Sequence, residues 1–155
     1  MPPPAPSGVD RPFTLSVGPG LTKSLTYPGD WTTTLTVALG WSPDERWTFI
    51  VAPYWERESD LVEGTLVTYN ELSLSVGASY SFAPGWTVGV DFDFGIVHDL
   101  FGPWQGNPEF GVGVGVSYAF PLGGRWNLVV GPEVSWKISD EEFQVGLNTG
   151  VSFDF

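Results

Sequence analysis

The chain contains no cysteine, which excludes a disulfide framework, a thiolate nucleophile and a Cys-ligated metal centre. Basic residues are almost as scarce: six Lys and Arg stand against eighteen Asp and Glu, a formal charge of -12 over 155 residues. Binding of nucleic-acid phosphates needs a basic patch, and this chain presents the opposite sign, so nucleic acid is excluded as a partner. Charged residues of both signs reach only 15%, below the roughly 25% usual in soluble domains. That is too few to coat a water-facing surface. A run of about 18 apolar residues, the minimum for a membrane-crossing helix, is also missing. Helical periodicity is nearly absent throughout, so a membrane role requires a barrel of strands.

In place of these features the sequence has 20 Gly, 14 Pro and 15% aromatics, arranged in segments of period-2 alternation separated by turn residues. The pattern predicts strands over about Phe13–Tyr27, Trp31–Trp41, Trp47–Trp55, Thr65–Phe82, Trp86–His98, Glu109–Phe120, Trp126–Ile138 and Phe143–Phe155. Eight is an even number, as barrels prefer. Gly18-Pro19-Gly20 interrupts the first segment, and a true turn there would make nine strands. No shift in composition divides the chain, so one domain is expected, an antiparallel up-and-down barrel over residues 13–155 after a Pro-rich lead-in over residues 1–12. The segment Met1 to Asp10 has neither the charged nor the apolar region of a secretory signal, so a mature chain is expected.

The contents of the two faces decide which one is outside. Phe110, Val112, Val114, Val116, Tyr118 and Phe120 alternate with Gly111, Gly113, Gly115, Ser117 and Ala119. As the exterior of a soluble barrel, the Gly/Ser face would lack the Lys and Glu that such surfaces carry. As a lumen lining it suits a narrow, strongly curved barrel, and the apolar face then meets lipid. Aromatics gather near the strand ends. Trp41, Trp47, Trp86 and Trp126 are expected at the rim of short turns, and Trp31, Trp55 and Trp136 at the opposite rim, as membrane-interface girdles. The segments Glu56 to Gly64 and Asp99 to Pro108 are expected as longer loops, giving short turns at one end of the barrel and longer loops at the other.

The chain ends on Val151, Phe153 and Phe155, alternating apolar residues that finish on an aromatic. This ending resembles the C-terminal signal read by the barrel-assembly machinery of bacterial outer membranes. In overall pattern, residues 13–155 resemble the small eight-stranded class typified by outer-membrane protein X and the membrane domain of outer-membrane protein A. The resemblance implies an integral outer-membrane location, membrane lipid and the assembly machinery as partners, and a monomer without cofactor. Inward Gly in nearly every strand and short Pro/Gly turns also resemble the devices of engineered transmembrane barrels.

Candidate lumen residues follow from the alternation. Asp91 and Asp93 are two apart in one strand and point to the same side, where paired carboxylates attract a cation. Counting across the turn between the sixth and seventh strands sets Glu109 opposite Lys137, with Glu133 four residues deeper on the same face, an arrangement that suggests a buried ion pair. Arg11 and Asp154 are placed to pair where the chain ends meet. Lys23 falls on the apolar face, and Pro19, Pro53 and Pro132 each remove a ladder donor. Two acidic groups, Glu56, Glu58, Asp60 and Glu63 in one loop and Asp140, Glu141 and Glu142 in another, are expected as a solvated rim, because their spacing matches no calcium loop.

An enzyme is disfavoured. The single histidine, His98, is followed two residues later by Leu100, whereas the pattern of barrel lipid deacylases has a serine there. The leading expectation is a structural or interaction barrel with a small polar lumen. The alternative is a narrow cation-preferring channel or small-molecule conduit, since inward Gly and Ser leave room that larger side chains would fill.

Overall fold

The computed structural model of the chain describes residues 11–98 and 109–155. The lead-in Met1 to Asp10 and the loop Asp99 to Pro108 lie outside the described residues. Eight antiparallel strands form a closed barrel in sequence order: β1 Phe13–Ser24, β2 Trp31–Trp41, β3 Trp47–Val62, β4 Thr65–Ala83, β5 Trp86–His98, β6 Phe110–Gly123, β7 Trp126–Lys137 and β8 Glu142–Asp154. Pairing of β1 with β8, from Thr14↔Asp154 to Ser24↔Gln144, closes the ring.

The barrel is apolar outside and polar inside. Among the described residues the only buried hydrophobic is Ala52, while Ser24, Thr32, Glu56, Glu71, Ser73, Glu142, Gln144 and Ser152 are buried polar groups. Leu15, Val17, Leu21, Leu35, Val37 and Leu39 of β1 and β2 all face outward. A chain that exposes its aliphatic residues and encloses its hydroxyls and carboxylates has water inside and hydrocarbon outside. Each strand is hydrogen-bonded to a neighbour on both sides, leaving no open edge in the ring.

β1 runs unbroken through Gly18-Pro19-Gly20, and its pairing with β2 holds one register from Phe13↔Trp41 to Lys23↔Trp31. The count is therefore eight. Without a bulge to re-aim it, Lys23 stays on the outer face, and its ammonium lies 5.3 Å from the Trp31 ring centroid. There the charge is held by an aromatic face at the barrel end, where a long side chain can snorkel to water.

The expected loop Glu56 to Gly64 is instead mostly strand. β3 continues to Val62 and pairs with β4 to the last residue, Val62↔Thr65. Glu63 and Gly64 make the turn with φ of 50° and 81°, the two successive positive values of a tight hairpin. Alternation persists here but is carried by charge rather than by hydropathy, which is why the segment does not read as strand in the sequence. β2 stops opposite Ser59, so the hairpin stands beyond it by three residues, about 10 Å at ~3.3 Å per residue.

Aromatics form a nearly continuous chain around the short-turn rim. Trp47 meets Tyr80 at 5.1 Å, Phe82 meets Trp86 at 6.4 Å, Trp86 meets Tyr118 at 4.9 Å, and Tyr118 meets Phe120 at 4.6 Å. The chain end joins in through Trp126–Phe153 at 4.8 Å, Phe153–Phe155 at 6.4 Å and Phe13–Phe155 at 5.9 Å. Val151 precedes them on the outer face, opposite Val17 and Leu128. Trp41 stacks on Phe49 at the same end, and Trp136 stacks on Phe143 at the opposite end with rings 8° from parallel. Trp55 is not at a strand end, because β3 extends past it; it pairs with Leu35 and Leu72.

Candidate functional site: an acid-lined lumen

The lumen holds a cavity of ≈ 590 Å³ whose lining extends from Thr14, Asn127 and Asp154 near the short-turn end to Glu56, Glu71 and Lys137 near the other. Small residues leave this space open. Ser16, Gly18, Thr34, Ala38, Ser75, Gly77, Gly89, Gly111, Gly115 and Gly131 all contribute to the wall, in a barrel size whose interior larger side chains would fill.

Near the loop end, Lys137 is gripped by carboxylates. Its Nζ lies 2.7 Å from Glu56 Oε1, 3.3 Å from Glu58 Oε2 and 3.8 Å from Glu109 Oε2. The contact with Glu109 is present, but the register differs from the expected one by two residues: Gly111, not Glu109, is the ladder partner of Lys137. The shortest partner comes from β3 instead. Glu56 and Glu58 were missed as lumen residues because they fall in the segment read as a loop. Glu71 is the cross-strand partner of Glu56, is buried, and accepts a 2.8 Å hydrogen bond from Ser73 Oγ. A carboxylate two residues before a serine on the inward face was the available signal for it.

The middle of the lumen carries Asp91, Asp93 and Glu133. Asp91 pairs with Gly77 and Gly113, and Asp93 with Ser75 and Gly111, so both project inward from β5 one above the other. A Cβ at position 113 would run into the Asp91 carboxylate, and glycine there makes the room the acid occupies. Asp91 Oδ1 is buried without a hydrogen-bond partner. Glu133 accepts a 2.5 Å hydrogen bond from Asn148 Nδ2 of β8.

At the short-turn end the expected Arg11–Asp154 pairing is replaced by other partners. Asp154 accepts hydrogen bonds from Thr14 Oγ1 at 2.8 Å and from Asn127 Nδ2 at 3.2 Å, tying β1, β7 and β8 together. The strand pairing directs Thr14 to the lumen side of Asp154, whereas Arg11 precedes β1 and is exposed. The expected acidic rim is also divided. Asp140 and Glu141 are in the turn, but Glu142 begins β8 opposite Lys137 and is 3% exposed.

Among the described lumen-facing residues Lys137 is the single base, set against Glu56, Glu58, Glu71, Asp91, Asp93, Glu109, Glu133 and Asp154. Low-dielectric walls focus such a field, raising the local concentration of cations and lowering that of anions. Charged rings select ions by this means in narrow pores. The side chain of His98, like Asp99, lies outside the described residues. Within those residues no group of His, Asp and Glu is arranged to hold a metal ion.

Residues 22–153 match the model of the family described as "Putative MetA-pathway of phenol degradation". The chain belongs to that family. Among curated proteins none matches it. Solved structures share the barrel at low identity. The outer membrane protein OprG of Pseudomonas aeruginosa superposes with a TM-score of 0.60 at 10% identity, covering 96% of this chain and 98% of that one. Neisserial surface protein A gives 0.58 at 16% identity, with 92% and 97% covered. A designed transmembrane β-barrel gives 0.55 at 16%, with 96% and 99% covered. The likeness establishes the fold, a membrane-spanning barrel of the architecture found in bacterial outer membranes.

Proposed function

We propose that this family member is a narrow outer-membrane conduit that admits small cations and neutral solutes through its lumen and disfavours anions. The open, acid-lined cavity carries this reading. A purely structural barrel of eight strands would fill its interior with side chains, and here much of that space is left to Gly, Ser and Thr. Asp91 and Asp93 with Glu133 form the mid-lumen attraction for cations, and Lys137 with Glu56, Glu58 and Glu109 forms a charged barrier nearer the loops. The description of the family connects it to phenol degradation, and admitting a small neutral aromatic is how a non-enzymatic barrel would serve such a pathway.

Single-channel recording after refolding into a planar bilayer tests the proposal. Discrete steps that prefer K⁺ over Cl⁻, and lose that preference in Asp91→Asn/Asp93→Asn, are the expected result. A folded, inserted and silent barrel would sink it in favour of a second reading, an interaction barrel. That reading draws on the β3–β4 hairpin, which stands clear of β2 and would present a surface outside the membrane.

A further inference from the structure

Among the described residues two successive ladder pairs are missing at three places, and a proline stands at each. Between β1 and β8 the pairing passes from Val17↔Val151 directly to Gly20↔Asn148, between β2 and β3 from Thr36↔Tyr54 to Leu39↔Val51, and between β6 and β7 from Gly115↔Glu133 to Tyr118↔Val130. Pro19, Pro53 and Pro132 keep their partners Leu35, Leu74 and Leu147 on the opposite side. Each therefore turns its donor-less nitrogen toward the interrupted ladder.

The three gaps are not equivalent. β2 and β3, like β6 and β7, are joined by a short turn, so they cannot part without moving that turn. β1 and β8 have no such connection. The lining of the lumen includes inward Gly18 and Gly150 together with outward Val17, Pro19 and Thr149 here, and outward Val116 and Pro132 at the β6–β7 gap. Of the gaps where the cavity reaches residues of both faces, only this one therefore lies between strands that no short turn joins. A Cβ at position 18 would overlap the Thr149 carbonyl, which means that the two backbones abut with no side chain between them. One side-chain bond spans the gap, from Thr149 Oγ1 to the Pro19 carbonyl at 3.3 Å. The site lies midway along β1, flanked outside by Leu21, Leu35, Leu147 and Val151, all exposed.

We infer that the β1–β8 seam at Pro19 and Thr149 is a lateral portal through which small uncharged aromatic solutes pass between lumen and lipid. The portal rests on the reading of the lumen as open to solutes. Opening it separates strands that already lack two ladder pairs and, at Pro19, one backbone donor. Hydrocarbon outside admits an uncharged solute and rejects an ion, and the acidic lumen disfavours aromatic anions. A compact neutral ring satisfies both.

The test uses the refolded full chain in lipid vesicles with a lipid-soluble aryl diazirine, mapping carbene insertion by mass spectrometry. Label is expected on the lumen-facing Ser16, Asn148 and Ser152 as well as on outward Leu15 and Leu147. Because the chain has no cysteine, the seam can be locked by Val17→Cys/Val151→Cys, a register pair. Oxidation should lower lumen labelling at least tenfold, reduction should restore it, and outer labelling should not change. Pro19→Ala, which returns an N–H to the seam, is expected to act in the same direction should the disulfide not form. Lumen label that is absent in the parent protein, or unaffected by both variants, or removed by Pro132→Ala instead, would overturn the portal. A water-soluble aryl diazirine reports on the conduit separately: it should reach the lumen whether the seam is locked or free. If it fails while the lipid-soluble probe succeeds, the conduit reading falls and the portal stands.

Discussion

Lys137 and Glu56, 81 positions apart in sequence, meet at 2.7 Å across the lumen. They belong to β7 and β3, strands that are not neighbours in the ring. The contact thus bridges the barrel rather than one ladder, and it brings Glu58 and Glu109 to the same ammonium.

Removing the base should loosen the barrel and alter its selectivity together. Lys137→Met strips the buried Glu56 carboxylate of its 2.7 Å partner, a loss of about 3 kcal/mol by analogy with broken buried pairs. Urea unfolding in vesicles should show a lower midpoint. In the bilayer, the same variant should conduct cations more readily. If conductance and selectivity are unchanged, Lys137 is not in the path.

Charge swaps in the middle of the lumen should separate attraction from folding. Glu133→Gln keeps the acceptor for Asn148 while removing a charge, so it should reduce cation preference severalfold with a stability change below about 1 kcal/mol. Reversal potentials in a salt gradient give the first number and urea titration the second. A lower urea midpoint without a change in selectivity would assign Glu133 a structural role only.

The seam at the short-turn end should depend on Asp154. Its carboxylate holds Thr14 of β1 and Asn127 of β7, joining the first strand to the last two. Asp154→Ala should cost about 2 kcal/mol and slow closure of the barrel, visible as delayed heat-modifiable migration on gels. Arg11→Ala should leave that migration unchanged.

The strands and their inside-out sorting were legible because alternation of apolar with small residues is a local property, set by the pleat and the solvent on each side. The short turn at Pro84-Gly85 was legible for the same reason, whereas the turn expected over Pro121 to Gly124 is narrower, because β6 runs on to Gly123 and leaves only Gly124 and Arg125. Lumen contacts were only partly so. Asp91, Asp93 and Glu133 follow from parity, but parity says nothing about partners across the barrel, which depend on stagger around the whole ring. A shift of two residues kept Glu109 near Lys137, whereas assigning Glu56 to a loop removed the closest partner altogether. The extension of β3 was hidden because hydropathy alternates only while one face meets lipid; beyond that level both faces meet water.

A further prediction concerns the turn between β2 and β3. Asp44 Oδ1 accepts backbone N–H bonds from Arg46 and Trp47, both at 2.8 Å, and these hold its carboxyl below the ordinary aspartate value of 3.8. A folded-state pKa below the unfolded one means that the native state binds its proton less readily. The resulting stabilisation is fully present above the unfolded value and is lost as pH falls through the folded one. Asp44→Asn retains an acceptor oxygen and no charge, so it should fold but lose that portion of the acid dependence. Asp44→Ala, which removes the acceptor as well, should lower the urea midpoint at neutral pH, where the bonds position Trp47 at the start of β3. The measurement is the urea midpoint from pH 7 down to pH 3 for all three proteins. Curves of identical shape for Asp and Asn at this position would show that the turn bonds make no contribution to the acid stability of the barrel.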